Sequence, residues 1–241
     1  MARKADYEVV IRPKGRSPAD EYEHKGKTWI EGRLNSNYVI EITNHSSQRV
    51  LSVVSVDGVS VVDGQPASFL SRGYVLQPAQ TVMIPGWLVN NQTAAQFTFS
   101  KMSESYSSLG GQDGNQGVIG VAWFEEQLPP MTLAQVTQTV ANLPMNHMGN
   151  SILNTSTASV AHDMGTGFGQ REHFATQTIP FLKASNQPVH VSLIYYDSAS
   201  NLVKRGIKLR ERNTRTDPQA FPANPGFCAP PPAWIDKKWS S

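Results

Sequence analysis

The sequence predicts an all-β fold, an antiparallel β-sandwich of jelly-roll type, and three observations carry that expectation. Apolar residues recur with a period of two between residues 28 and 125. Gly and Pro together make 34 of the 241 residues (18 and 16), a balance that favours short strands and many turns over long helices. Asp-Gly pairs, the chemistry of tight hairpin turns, punctuate the apolar runs at Asp57-Gly58 and Asp63-Gly64.

Each strand has its own pattern. In "SNYVIEIT", Tyr38, Ile40 and Ile42 share one face while Glu41 and Thr43 share the other, which reads as a half-buried strand. "RVLSVVSV" is apolar on both faces and is expected at the centre of a sheet. "GYVLQPAQTVMIPGW" gives two strands separated by Gln77 to Gln80, and "AAQFTFS" places Phe97 and Phe99 inward. "GVIGVAWFEE" is a second central strand, entered from the turn "GGQDGNQG".

Residues 127–164 break this rhythm and read as an insertion between two strands. Pro129-Pro130 opens it, and "TLAQVTQTVANL" predicts one short helix with Leu133, Val136 and Val140 on one face and Thr132 and Gln135 in capping-box positions. Next comes "HDMGTGFGQREHF", in which Gly165, Gly167 and Gly169 alternate. A phosphate-cradling glycine loop needs a following helix and usually a Lys-Ser or Lys-Thr pair; neither is present, so a bend or β-bulge is expected instead. "HFATQTIPFLKA" and "PVHVSLIYYD" are then expected to pair across "SNQP". Val189, Val191, Leu193 and Tyr195 should face one way and His190, Ser192, Ile194 and Tyr196 the other.

The domain reading is an N-terminal arm over 1–25, a β-sandwich over 26–212 and a proline- and aromatic-rich C-terminal arm over 213–241. Prolines remove backbone donors and favour extended chain, so the last segment suits neither helix nor sheet core. Its Phe221, Phe227, Trp234 and Trp239 exceed what a free tail requires, and it reads as an arm that lies on another surface.

Composition excludes several classes. Cys228 is the only cysteine, which rules out an intrachain disulfide framework and a multi-cysteine metal site and suits a reducing compartment. The N-terminus lacks the apolar run of a signal peptide, and no window approaches a membrane span, so synthesis in the cytoplasm and no membrane partner are expected. The net charge of +2 is too small to argue for nucleic acid. Basic residues do cluster between Lys204 and Arg215, with Glu211 the only acid among them. The cluster reads as a solvated segment or as a docking strip for an acidic protein surface; the lack of interleaved aromatics argues against DNA or RNA. Candidate partner-binding residues are therefore Arg205, Lys208, Arg210 and Arg212, joined by Phe221, Phe227, Trp234 and Trp239.

No catalytic constellation is legible. The six histidines make no helical zinc spacing, and there is no nucleophile elbow. His162 and Asp163 could hold a metal with His173, but a surface or loop role is the simpler reading. No catalytic residue, metal or cofactor is assigned, and the chain is expected not to be an enzyme. Trp29, Trp87, Trp123, Tyr195 and Tyr196 are candidates for stacking platforms in a carbohydrate- or receptor-binding module. Their alternation with apolar neighbours favours a core role.

The run from "RVLSVVSVDGVSVVDG" through "SRGYVLQPAQTVMIPGW", with "FTFS", "SESY", "GVIGVAWFEE", "GTGFGQRE" and "IYYDSASNLVKRGI" in the same order, resembles a family of uncharacterised proteins of tailed bacteriophages and bacteria. The resemblance covers about residues 28 to 207 without the insertion. In that family the residue after the Gly-Trp pair is usually basic and the strand corresponding to "GVIGVA" ends in a charged tail, from which Leu88 and Trp123 depart. The resemblance implies a compact sandwich and an association with phage genomes. The expected function is a non-enzymatic virion component, a capsid decoration or cement protein or a neck or tail accessory, localised to the virion. Expected partners are major capsid, portal or tail subunits, with a homo-oligomer as a further option.

Overall fold

A computed structural model describes residues 6–128 and 161–210. The expected insertion, its helix and the C-terminal arm fall almost wholly outside these residues. Among the described residues the fold is all-β: two sheets packed face to face, with two short helices. None of those helices is long and apolar enough to cross a membrane.

The first sheet has six strands. Its path runs β1 (Tyr7–Pro13), β4 (Asn37–Asn44), β10 (Thr93–Lys101) and β12 (Met164–His173), with β8 (Thr81–Ile84) also paired to β4 and β9 (Gly86–Asn90) to β10. The second has seven: β2 (Glu21–His24), β3 (Lys27–Glu31), β13 (His190–Asp197), β11 (Val118–Glu125), β5 (Val50–Val56) and β6 (Val59–Ser60), with β7 (Tyr74–Leu76) also on β5. All pairings are antiparallel except β3 on β13, where Thr28 to Glu31 run parallel to Ile194 to Asp197.

The period-two pattern places the core. Tyr38, Ile40, Ile42, Phe97 and Phe99 point inward from the first sheet and meet Val54, Val56, Val121, Trp123 and Tyr196 from the second. Removing this apolar surface from water is the main favourable contribution to folding. The alternation expected of β4, the inward Phe97 and Phe99, and the central positions of β5 and β11 are all present. Asp57 and Gly58 both have positive φ (53° and 78°), as a two-residue turn between twisted strands requires, and they join β5 to β6 as a hairpin. The chain then crosses between sheets: Gln77 to Gln80 link β7 in one to β8 in the other.

Two expectations need correction, the N-terminal arm and the partner of β13. The N-terminal arm over 1–25 is not free along its length. β1 pairs with β4 from Tyr7↔Asn44 to Pro13↔Tyr38, and β2 pairs with β3, because Val9 and Ile11 continue the inward alternation of the sheet. Two of the arm's cations are also engaged, Arg12 with Glu41 and Lys14 with Glu172.

The glycine stretch is itself a strand. β12 lies antiparallel to β10, and the register passes from Ala95↔Arg171 to Phe97↔Phe168, so β12 carries one extra residue there. This is the expected β-bulge. Gly165, Gly167 and Gly169 do not have positive φ. Two of them are needed for close approach: a Cβ on Gly165 would sit 2.5 Å from Ser105 Cβ, and one on Gly169 2.5 Å from Thr98 Oγ1.

"HFATQTIPFLKA" is not the hairpin partner of β13. Beyond His173 the chain leaves the first sheet and lies on the outer face of the second, where Phe181 packs on Leu51, Val53, Ala122 and Phe124. An isolated bridge joins Glu126 to Lys183. β13 takes β11 and β3 as neighbours instead. Its faces do divide as expected, with Ile194 and Tyr196 buried and Val191 and Leu193 on the outer surface.

Candidate functional site

Buried polar side chains concentrate in two places, one between the sheets and one beside β13. The first is centred on Asp57. The hairpin turn carries its carboxylate into the core, where it is 1% exposed. It accepts from Tyr196 Oη at 2.5 Å, from the Thr166 backbone N–H at 2.7 Å and from the Gly117 N–H at 2.9 Å. Thr166 Oγ1 is hydrogen-bonded to Tyr196 Oη and to Tyr38 Oη, each at 2.8 Å. The chain of contacts thus ties β4 and β12 of one sheet to the β5–β6 turn and β13 of the other.

Burial pushes the Asp57 carboxyl up to about 6, against hydrogen bonds that favour its charged form. Burial likewise holds the Tyr38 and Tyr196 phenols well above their ordinary value, so both remain protonated donors. A group enclosed on all sides by its own donors has no room for a substrate. This arrangement joins sheets.

The second cluster begins where β13 ends. Ser198 caps α2 (Ala199–Lys204), its hydroxyl accepting from the Asn201 N–H, and Gly206, with φ of 88°, stops the helix just beyond Arg205. That short helix returns Arg205 over Asp197, whose side chain is fully buried, with Nη2 2.8 Å from Oδ2. The other carboxylate oxygen accepts from the Ser198 N–H at 2.9 Å and Asn201 Nδ2 at 3.3 Å. Burial raises the Asp197 carboxyl, but Asp163, Arg205 and the Ser198 N–H together bring it below its ordinary value.

Trp29 roofs the cluster. Its ring lies 4.8 Å from the Arg205 guanidinium carbon and stacks on His162 at 5.7 Å. His162 Nδ1 is 3.4 Å from Asp197 Oδ2 without hydrogen-bond geometry, and burial lowers the imidazole's affinity for a proton. Ser198 Oγ contacts Asp163 Oδ2 and Ser200 Oγ, each at 3.0 Å, and is not bonded to His162. Serine, histidine and aspartate therefore meet here without a nucleophile–base pair.

Arg205, expected to face a partner, is an internal counter-ion with a side chain only 11% exposed. Lys208 and Arg210 are exposed at the end of the described residues. Arg212, Phe221, Phe227, Trp234 and Trp239 lie outside them. Replacing Arg205 by Met should cost about 3 kcal/mol, because Asp197 would keep its burial and lose its cation. Lys208→Met should stay within about 0.5 kcal/mol of the parent chain. Urea denaturation of both variants checks the contrast.

The three tryptophans considered as platforms lie inside the fold. Trp29, Trp87 and Trp123 are 5%, 3% and 0% exposed, and Tyr196 is buried with them. His173 closes the far end of β12 from His162 and Asp163, so the strand keeps these three groups apart. Among the described residues no three metal-ligating side chains converge. The exposed feature that sequence pattern alone left undecided is the apolar row Val189, Val191 and Leu193 on the outer face of the second sheet, 48%, 42% and 47% exposed. Alternation identified the row, but only the packing shows which face lies inward. Comparison with protein-family models, curated proteins and solved structures gives no match.

Proposed function

We propose that this protein is a non-catalytic structural component of a bacteriophage virion, a decoration or cement protein of the capsid or an accessory of the neck or tail. The observation that carries the assembly part of the reading is the row Val189, Val191 and Leu193, an apolar strip on a sheet face whose neighbouring part is covered by Phe181. Strips of this kind favour contact with another protein surface. The buried carboxylates support the non-catalytic part, since each is enclosed by partners from its own chain. The resemblance of the blocks quoted above to a family of phage proteins motivates the virion part of the reading.

The C-terminal aromatics extend the reading. Extended segments hold a subunit in place by many weak contacts at high effective concentration. Trp234→Ala combined with Trp239→Ala should reduce occupancy on purified particles at least about tenfold, as loss of two aromatic anchors does at interfaces. Circular dichroism of the isolated variant should match the parent chain. Quantitative mass spectrometry of the particles gives copy number at the same time: hundreds of copies indicate the shell and about a dozen the neck or tail. Normal occupancy of the double variant would remove the arm from the proposal, and absence of the protein from particles would end it.

A further inference from the structure

A cleft of about 530 Å³ is bordered by β7 of one sheet and by β8 and β9 of the other, within the roughly 300–1,000 Å³ typical of small-molecule sites. Val62, Val82 and Leu88 line it, and Phe174 and Ile179 from the segment after β12 cover it. That cover is anchored: the Phe174 N–H donates to Gln92 O at 2.9 Å and the Thr176 N–H to Asn91 O at 2.8 Å.

Polar residues line it as well, Gln80, Asn91, Thr176, Gln177 and Thr178 among them, and two more are hydrogen-bond donors, Tyr74 and Arg72. Tyr74, in β7, pairs with the buried Ser52, so its ring turns into the space between the sheets. Its hydroxyl is fully buried and has no hydrogen-bond partner. Burial raises the phenol's proton affinity further, which keeps it a donor. Such an atom costs roughly 1–3 kcal/mol when unsatisfied, so a partner that supplied an acceptor would recover that penalty. Arg72 lines the same cleft two residues earlier, is exposed, and makes no ion pair or hydrogen bond among the described residues. Arg72 precedes β7, and it and Tyr74 both border the cleft.

We propose that this cleft binds a small amphipathic carboxylate, an aliphatic or aromatic acid whose head group takes hydrogen bonds from Tyr74 and Arg72 while its apolar body lies between the sheets. A cation is refused by Arg72 and a neutral amide loses the charge-assisted bond. The proposal is independent of the virion reading.

Isothermal titration of the full chain with sodium decanoate tests it, with decanamide and decylammonium as neutral and cationic analogues. One decanoate should bind per chain, with decanamide at least about tenfold weaker and decylammonium undetected. Arg72→Met should weaken decanoate about tenfold and Tyr74→Phe about three- to tenfold. Leu88→Trp, which fills the cleft, should abolish binding. Thermal melting supplies the second readout: Tyr74→Phe removes an unsatisfied hydroxyl, so its melting temperature without ligand should equal or exceed that of the parent chain. Absence of decanoate binding, equal affinity for the three analogues, or unchanged affinity in Arg72→Met would overturn the proposal. A lower melting temperature for Tyr74→Phe would assign its hydroxyl a structural role and overturn it as well.

Discussion

Asp57→Ala is expected to destabilise the protein by about 3 kcal/mol near neutral pH, through donors that lose their acceptor. Tyr196 Oη and the N–H groups of Thr166 and Gly117 would all remain buried. The loss is smaller than three full penalties because deleting a buried carboxylate also relieves its desolvation. Asp57→Asn keeps the shape but turns an NH2 group toward one of those donors, and should cost about 2 kcal/mol.

The same residue sets a pH dependence of definite sign. Its folded-state value of about 6 lies above the ordinary 3.8, so the folded protein holds this proton more tightly than the unfolded chain. The resulting stabilisation is complete below the ordinary value and is lost as pH rises through about 6. A shift of roughly two units corresponds to about 3 kcal/mol between pH 3.5 and pH 7. The quantity to measure is the difference in unfolding free energy between the parent chain and Asp57→Asn, by urea titration across that window. The parent's advantage should shrink as pH rises; an advantage independent of pH would show that folding leaves the proton affinity of Asp57 unchanged.

Gly86→Ala is expected to have a still larger effect, about 4 kcal/mol or more. A Cβ at this position would lie 1.9 Å from Ala95 O and 2.4 Å from its carbonyl carbon, both backbone atoms of the paired strand β10. No rotamer change relieves a clash with backbone, so β9 would have to separate from β10. Trp87 would move with it, losing its Nε1 hydrogen bond to Gly167 O and its packing on Phe97. Gly167→Ala is the control: its nearest atoms are the Ser100 Cβ and Oγ at 3.4 Å, so a methyl group meets ordinary contact distances. Thermal melting separates the two, and equal melting temperatures for them would refute the close-approach argument.

What could be read from sequence was what depends on neighbours in sequence. The alternation in β4 and β13, the doubly apolar β5 and the Asp57-Gly58 turn are local patterns, and each is present as expected. The bulge in β12 was legible, but the close approach that Gly165 and Gly169 serve was not, because its partners Ser105 and Thr98 lie elsewhere in the chain and spacing alone cannot distinguish a glycine that bends from one that lets a neighbour close. The Asp57 network was invisible for the same reason. Its donors stand 60, 109 and 139 residues away in the chain. An Asp-Gly turn ordinarily carries a solvated side chain, so nothing nearby announced a buried one. Arg205 shows the converse error: charge density between Lys204 and Arg215 suggested a strip facing outward, while one of those cations neutralises an aspartate only eight residues before it.

The parallel seam between β3 and β13 imposes an order on assembly. The hairpin of β2 and β3 is made early in synthesis, yet within its sheet it can dock only on a strand that ends at Asp197. Until that strand leaves the ribosome, the first hairpin has no lateral neighbour there, and its closure must wait for almost the whole body. Long-range pairing of this kind makes folding slow. A chain cut short of residue 190 would lose the join between two pieces of one sheet, so premature termination should yield a split sheet and not a smaller sandwich.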